Sequence, residues 1–308
     1  MSPDIVLLGN LLVDDVVFPD GRTRMGQAGG AILYTSLAAA LWNARLGCVS
    51  LRGDDYPAAA IDALRSRGIA LDGITPLHRT GLRTWLLYEG RLRRVIHRLG
   101  GPTHTEVSPG PGQIPAGWRA ARAFHLAPMP LDVQRALVGS LRDPRAGPAN
   151  ACVSVDPHEI VTEESLPRWR EVLAHVDAFF PSEDELRLDD TQADPRASLR
   201  RLANGRLRFV VHKRGAKGGL LYDAREDRFH EWAPQAYGMT DPTGAGDALA
   251  AGFLTAHLEG LAVEDCLRRA VVTASFAVED WGPGGLLAAS HADAEARLLA
   301  WFGGKATA

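Results

Sequence analysis

The chain is poor in the features that mark several common kinds of protein. It carries three cysteines, Cys48, Cys152 and Cys266, far apart in sequence. An odd, scattered set supplies neither a disulfide framework nor a metal or redox motif, and it fits a reducing compartment. Net charge is almost lacking: 34 basic residues stand against 37 acidic ones, a formal −3. That balance argues against general binding of nucleic acid and leaves at most a local basic patch. No apolar run reaches membrane-spanning length, and Met1 is followed by a strand-like segment containing Asp4, where a leader would carry a basic and then an apolar region. No internal repeat is evident. The expectation is a soluble cytoplasmic protein acting on a small molecule, with no nucleic-acid or membrane partner. Its 308 residues suffice for one large domain, or one domain with a small appendage.

What is present is a regular alternation. Ile5–Leu8 reads as a buried strand ending at Gly9-Asn10, and Asp14 and Asp15 interrupt the next apolar stretch. Gly29-Gly30 precedes an alanine-rich helical pattern, Gly47 reads as a turn before a short strand, and 57–67 reads as a helix closed by Gly68. Residues 84–88 and 92–97, separated by Glu89-Gly90, suggest a hairpin, and 102–117 is loop. Strands at 123–127, 151–156, 178–180, 209–213 and 218–222 then alternate with helices at 131–142, 166–176 and 267–276. This order predicts an α/β fold with a mainly parallel sheet and helices on both faces. Ligands gather at the carboxyl ends of such strands, where Asp14, Asp156, Ser182 and Arg214 would fall. Residues from Gly303 on read as disordered.

The most informative stretch is Thr240-Asp241-Pro242-Thr243-Gly244-Ala245-Gly246-Asp247, which opens an apolar helix through Leu258. Its glycines permit a tight turn whose backbone N–H groups converge at a helix start, a seat for phosphoryl oxygens. Asp247 is then either a helix cap or a base that takes a proton from a hydroxyl beside that seat; spacing alone leaves both open. Pro181-Ser182-Glu183-Asp184-Glu185 reads as a helix amino terminus, with Ser182 as cap and Glu185 completing a capping box.

The block from Asp241 to Asp247 resembles the carboxy-terminal signature Asp-Thr-x-Gly-Ala-Gly-Asp of the ribokinase-like (PfkB-type) carbohydrate kinase family, with Pro242 at a position where Thr is common. The resemblance implies a ribokinase-like three-layer α/β/α domain over 1–308, with a small β-sheet lid formed by approximately 12–28 and 80–100. It implies ATP-dependent phosphorylation of a primary hydroxyl of a sugar or related polyol. Asp247 would be the base, with Gly244, Ala245 and Gly246 as the anion hole. Asp14, Gly29, Gly30, Tyr34 and Trp85 would bind substrate, and Tyr88, Arg93 or Arg94 and His97 lie where a lid contacts substrate or a partner's lid. Tyr34 and Leu12 replace Asn residues of ribokinases, which weighs against ribose itself. Ser182, Lys213, Gly215, Gly218 and Ser275 would contact the nucleotide, Lys213 also reading as structural and Arg214 and Lys217 as solvent-facing. Glu185 would organise Mg²⁺ through water, with Ser182 at the family's Asn, and Asp241 would help hold K⁺. A homodimer through the lids is a further expectation. Two alternatives stand beside the sugar kinase: a nucleoside kinase, with Tyr34 and Trp85 lining a base pocket, and a catalytically idle sugar-binding or regulatory protein on the same fold.

Overall fold

The computed structural model describes residues 2–89, 92–143, 145, 150–189, 194–233, 235 and 238–303. The hairpin turn expected at Gly90 and the disorder expected after Gly303 lie outside them, as does the Arg93 side chain. The first part of the chain gives β1 (Ile5–Leu8), β2 (Leu12–Val17), β3 (Thr23–Gly29), α1 (Ala31–Ala40), β4 (Leu46–Arg52), α2 (Ala58–Ser66), β5 (Ala70–Pro76), β6 (Arg83–Glu89) and β7 (Leu92–His97). The middle gives β8 (Ala123–Leu126), α3 (Leu131–Arg142), β9 (Cys152–Val155), β10 (Val161–Thr162), α4 (Leu166–Leu173), β11 (Ala178–Phe179), β12 (Leu186–Arg187), α5 (Pro195–Leu202) and β13 (Phe209–Lys213). The last part gives β14 (Gly219–Asp223), β15 (Arg228–Trp232), α6 (Ala245–Leu258), α7 (Val263–Val278), α8 (Gly284–Ala288) and α9 (His291–Phe302).

The large sheet runs β15-β14-β13-β11-β9-β8-β1-β4-β5. From β13 to β5 the pairings are parallel; β14 and β15 add an antiparallel edge. Every residue of β1 is buried because helices cover both faces, so an unbroken apolar run is the stable choice there. Alternation then divides the cores. Val6 and Leu8 pack with α3 and α4, whereas Ile5 and Leu7 pack with α1 and with the inner residues of α6 and α7. Helix α6 is buried continuously from Ala248 to Ala256, since it lies between the sheet and its neighbours α1 and α7. The result is three layers, α/β/α, with a separate four-stranded sheet ordered β3-β2-β6-β7.

Topology puts a crevice where the site is built. The chain leaves β1 toward β4 and β5 on one side and later returns to β8 on the other. Such a reversal separates the loops at the strand ends and leaves room for a ligand. Two local expectations are corrected. Gly47 lies inside β4, paired with Val6 and Ala70, and its missing Cβ leaves room for the Trp118 ring. Ser182 heads no helix: Pro181 to Glu185 turn into β12, which pairs with β10 and buries Leu186.

Candidate active site

Gly244 is the N-cap of α6, with φ 80° in the left-handed region. A Cβ there would collide with the Tyr34 ring, which packs against the turn from α1 and is only 3% exposed. Glycine is therefore required twice over, by backbone conformation and by space. The amide of Ala245 bonds back to the Pro242 carbonyl at 3.3 Å. Gly246 and Asp247 follow in the first helical turn, whose N–H groups have no intrahelical acceptors, and the helix dipole reinforces their pull on an anion. Asp247 is half-buried. Tyr34 gathers the site's carboxylates around itself: burial first, then Asp14, Asp241 and Asp247, push its phenol well above its usual pKa.

Beneath the turn lies a buried charge cluster. Lys213, at the end of β13, donates to both Asp156 oxygens at 2.8 and 2.6 Å, and its side chain is 11% exposed against 1% for Asp156. Burial is the strongest influence on each. It opposes the Lys213 charge, but the carboxylates of Asp156, Glu185 and Asp247 outweigh it and hold the ammonium protonated. For Asp156, burial raises the pKa and Lys213 works against that rise. Lys213 thus spends its ammonium on Asp156, in line with its structural reading. Glu185 accepts from the Ser182 amide at 2.8 Å, so the side-chain half of the expected capping box forms without the helix.

The acceptor side is assembled by the small sheet. In β2, Asp14 is directly opposite Thr84 of β6, and Thr84 is opposite His97 of β7, so the three side chains share one face. Asp14 is 7% exposed and its carboxylate lies over Gly29, where a Cβ would overlap it. Gly30, at φ 99°, is the N-cap of α1, and a Cβ there would strike the Asn10 carbonyl. Trp85 alternates to the opposite face, across from Ile96, so the structure does not bring it to Asp14. Tyr88, two turns of the pleat beyond Thr84, does face inward and donates to Asp241 at 2.8 Å.

The nucleotide-side residues divide. Gly215 and Gly218 form the short turn joining β13 to β14, with φ 52° and 80°, and Gly218 leaves room for the Trp232 carbonyl. Ser182 bridges to Lys213 beside them. Ser275 is 7% exposed, donates to the Val272 carbonyl at 2.6 Å and accepts from Arg297 at 2.8 Å, so its hydroxyl serves the packing of α7 on α9.

Sequence reasoning missed several residues near the site. Phe18 and Trp281 form an aromatic group with Tyr88, a residue the lid expectation already named, and stand edge-to-face at 4.3 Å. His104 and His158 meet at 3.0 Å, with the His97 ring 6.0 Å from that of His104. Asn10 donates to Ser108 at 3.0 Å, and the Asn10 Oδ1 is buried with no protein partner. Only the position of Asn10, at the end of a strand-like run, was a signal open to sequence.

A model of the pfkB family of carbohydrate kinases matches residues 149–288. A cytidine kinase of Thermococcus kodakarensis is 31% identical over 284 residues, covering 91% of this chain and 97% of that protein. Two solved structures share the fold. A nucleoside kinase of Burkholderia thailandensis in complex with inosine superposes with a TM-score of 0.75 at 15% identity over 97% of each chain. A ribokinase II from E. coli in complex with ATP and Mg²⁺ gives 0.71 at 21% identity, over 96% of this chain and 98% of its own. No helix among the described residues is long and apolar enough to cross a membrane. A signature turn beside a candidate base, on a three-layer fold shared throughout, together with identity across nearly the whole of a kinase, places the chain in the pfkB family of carbohydrate kinases.

Proposed function

We propose that this enzyme transfers the γ-phosphoryl of ATP to a hydroxyl of a nucleoside. The observation that carries the reading is the acceptor wall: the Asp14 carboxylate stands in register with Thr84 and His97 on one face of the small sheet. A carboxylate suits a vicinal diol, and neighbouring imidazoles suit a planar base through stacking and hydrogen bonds. The rings of His104 and His158, beside His97, are neutral near pH 7. Burial, then His158 and His97, push His104 down to about 3, and burial followed by His97 lowers His158. The cytidine kinase among the relatives supports the same acceptor class. A sugar acceptor is the second reading, favoured by the family description and by the diol-binding Asp14.

In this reading Asp247 takes the proton from the attacking hydroxyl, and the amides of the Gly244–Asp247 turn stabilise charge on the phosphoryl in flight. Asp14 orients the acceptor. No group of three His, Cys, Asp or Glu among the described residues is placed to hold a metal directly, so a divalent ion would come in on ATP. Bound Mg²⁺ would neutralise phosphate charge, met through water at Glu185. Gly215 and Gly218 would border the nucleotide. A second copy would pair through the small sheet, whose Met25 and Ile96 are 45% and 49% exposed and are followed by Leu99 at 96%; a sedimenting monomer removes that part.

The test is ATP consumption with Mg²⁺ against nucleosides, pentoses, hexoses, sugar acids and inositols, with product mass checked for each hit. A phosphorylated nucleoside is expected, and its loss by at least about 10²-fold in Asp247→Asn, the order of a general-base contribution. A sugar preferred over every nucleoside overturns the acceptor assignment. Near-normal turnover in Asp247→Asn overturns the base. Binding with no product across the panel returns the idle-binder reading.

A further inference from the structure

Asp241 is the residue at which the family resemblance sets a potassium ion, and its surroundings can be tested for that role. The carboxyl is buried, 4% exposed. Its Oδ1 accepts the Tyr88 hydroxyl at 2.8 Å and the Thr243 amide at 2.9 Å, and its Oδ2 accepts the Gly282 amide at 3.0 Å. A carboxylate offers about four lone-pair sites. Three are directed at protein hydrogens, and each of those hydrogens presents positive charge where a cation would have to approach. The residues present do not fit a monovalent cation held through Asp241.

The same contacts supply what such an ion would do for the loops. Gly282 ties Asp241 to the segment after α7, and the amides of Thr240 and Asp241 reach the Val278 carbonyl at 2.8 and 3.3 Å. The loop before α6 and the loop after α7 are therefore joined by protein alone. Tyr88 adds a third element, because it comes from β6 of the small sheet. Its hydrogen goes to Asp241, so in the 2.9 Å contact with Thr243 the threonine hydroxyl is the donor. The ring is held by Phe18, stacked at 6.3 Å, and by the edge of Trp281 at 6.1 Å.

We infer that Tyr88 is a positioning residue for phosphoryl transfer: seated on Asp241 and Thr243, it sets the Gly244–Asp247 turn when the small sheet is down and replaces a monovalent cation, so that turnover is independent of K⁺. Tyr88 touches neither the phosphoryl nor the acceptor in this scheme and acts through the turn. The inference rests on the phosphotransferase reading and not on which acceptor is used.

The experiment compares the full-length wild type and Tyr88→Phe in KCl, NaCl and choline chloride at matched ionic strength, with whichever acceptor the panel identifies. Thermal midpoints are measured in the same salts without substrate. For the wild type, kcat is expected to agree within about twofold across the salts, and the midpoint to be the same in K⁺ and choline. Loss of one hydrogen bond to a charged group corresponds to roughly ten- to a hundredfold, so Tyr88→Phe should lower kcat by that factor in choline. Its KM values for ATP and acceptor should stay within about threefold, and K⁺ should raise both its kcat and its midpoint as the freed Oδ1 site accepts the ion. A wild-type kcat or midpoint that rises with K⁺ over choline overturns the inference, as does a Tyr88→Phe kcat equal to wild type. If no acceptor is turned over by either protein, the phosphotransferase reading fails, and the midpoints alone still decide whether Asp241 takes an ion.

Discussion

Replacing Lys213 by Met removes the cation ion-paired with Asp156 while keeping the length and apolar stem of the side chain. Lys213 bonds both Asp156 oxygens, at 2.8 and 2.6 Å, and Asp156 is 1% exposed. Breaking a buried pair from one side leaves an uncompensated charge and costs about 3–5 kcal/mol. Here the abandoned carboxylate also faces Glu185 and Asp247, which adds to the penalty of its ionised form. It can escape only by protonation. Burial already raises the Asp156 pKa in the wild type, and deleting Lys213 removes the force that opposes the rise. In the variant the folded state then binds a proton that the unfolded chain, with an Asp pKa of about 3.9, has released. Stability must fall with rising pH wherever the unfolded state binds fewer protons. The loss should therefore be smallest near pH 5 and grow as pH rises, because the Asp156 pKa is raised further in the variant than in the wild type, where Lys213 opposes the rise. Urea unfolding at about pH 5, 7 and 8.5 reads this directly through the midpoint. The companion Asp156→Leu, Lys213→Met should recover most of the loss, since a buried pair exchanged for apolar groups is often neutral. A Lys213→Met loss that does not change with pH, or a double variant as unstable as the sum of the singles, refutes the reasoning.

Two further outcomes follow from the same geometry. Gly244→Ala forces a left-handed φ on a residue with a Cβ, about 1–2 kcal/mol, and drives that Cβ into the buried Tyr34 ring, about 1–3 kcal/mol more. A total loss of about 2–5 kcal/mol by urea unfolding is expected, and wild-type stability would refute the turn. Arg83 bonds Asp15 at 2.6 and 2.7 Å and, through that bond chiefly, lowers its pKa. A lowered carboxyl contributes stability above its unfolded pKa and loses it as pH falls through the folded value, so Arg83→Met should cost about 1.5–3 kcal/mol at pH 7 and progressively less as pH falls below about 3.9. A difference that persists in acid would show that the guanidinium acts by packing alone.

Most of the architecture was legible because it depends on patterns that local sequence carries. Ile5–Leu8, Phe209–Lys213 and the apolar run after Asp247 are buried on every side, and such runs can be read without knowing their neighbours. The Gly244 turn was legible for the same reason, since a left-handed φ beside a crowded ring demands glycine. Failures occurred where a distant residue decides. Gly47 is a strand residue because it pairs with β1 and β5, and it is a glycine because Trp118 fills the space above it. The Pro181–Glu185 segment carries sound helix-capping chemistry, yet Leu186 is drawn into pairing with β10. Trp85 was placed by residue type when parity decided the matter, and Tyr88 lay on the face that counts.

That parity has an evolutionary consequence. Every inward group of the small sheet, Asp14, Thr84, His97 and Tyr88, depends on its place being counted in twos along its strand. A single-residue insertion or deletion within β6 would turn Leu87 or Glu89 toward Asp241 and send Tyr88 to the outer surface, where Trp85 now stands. Mutational drift in these strands is thus confined to substitutions and to length changes in even steps, while connecting loops can change length freely. The part of the molecule that meets the acceptor can exchange side chains one at a time, but cannot slide.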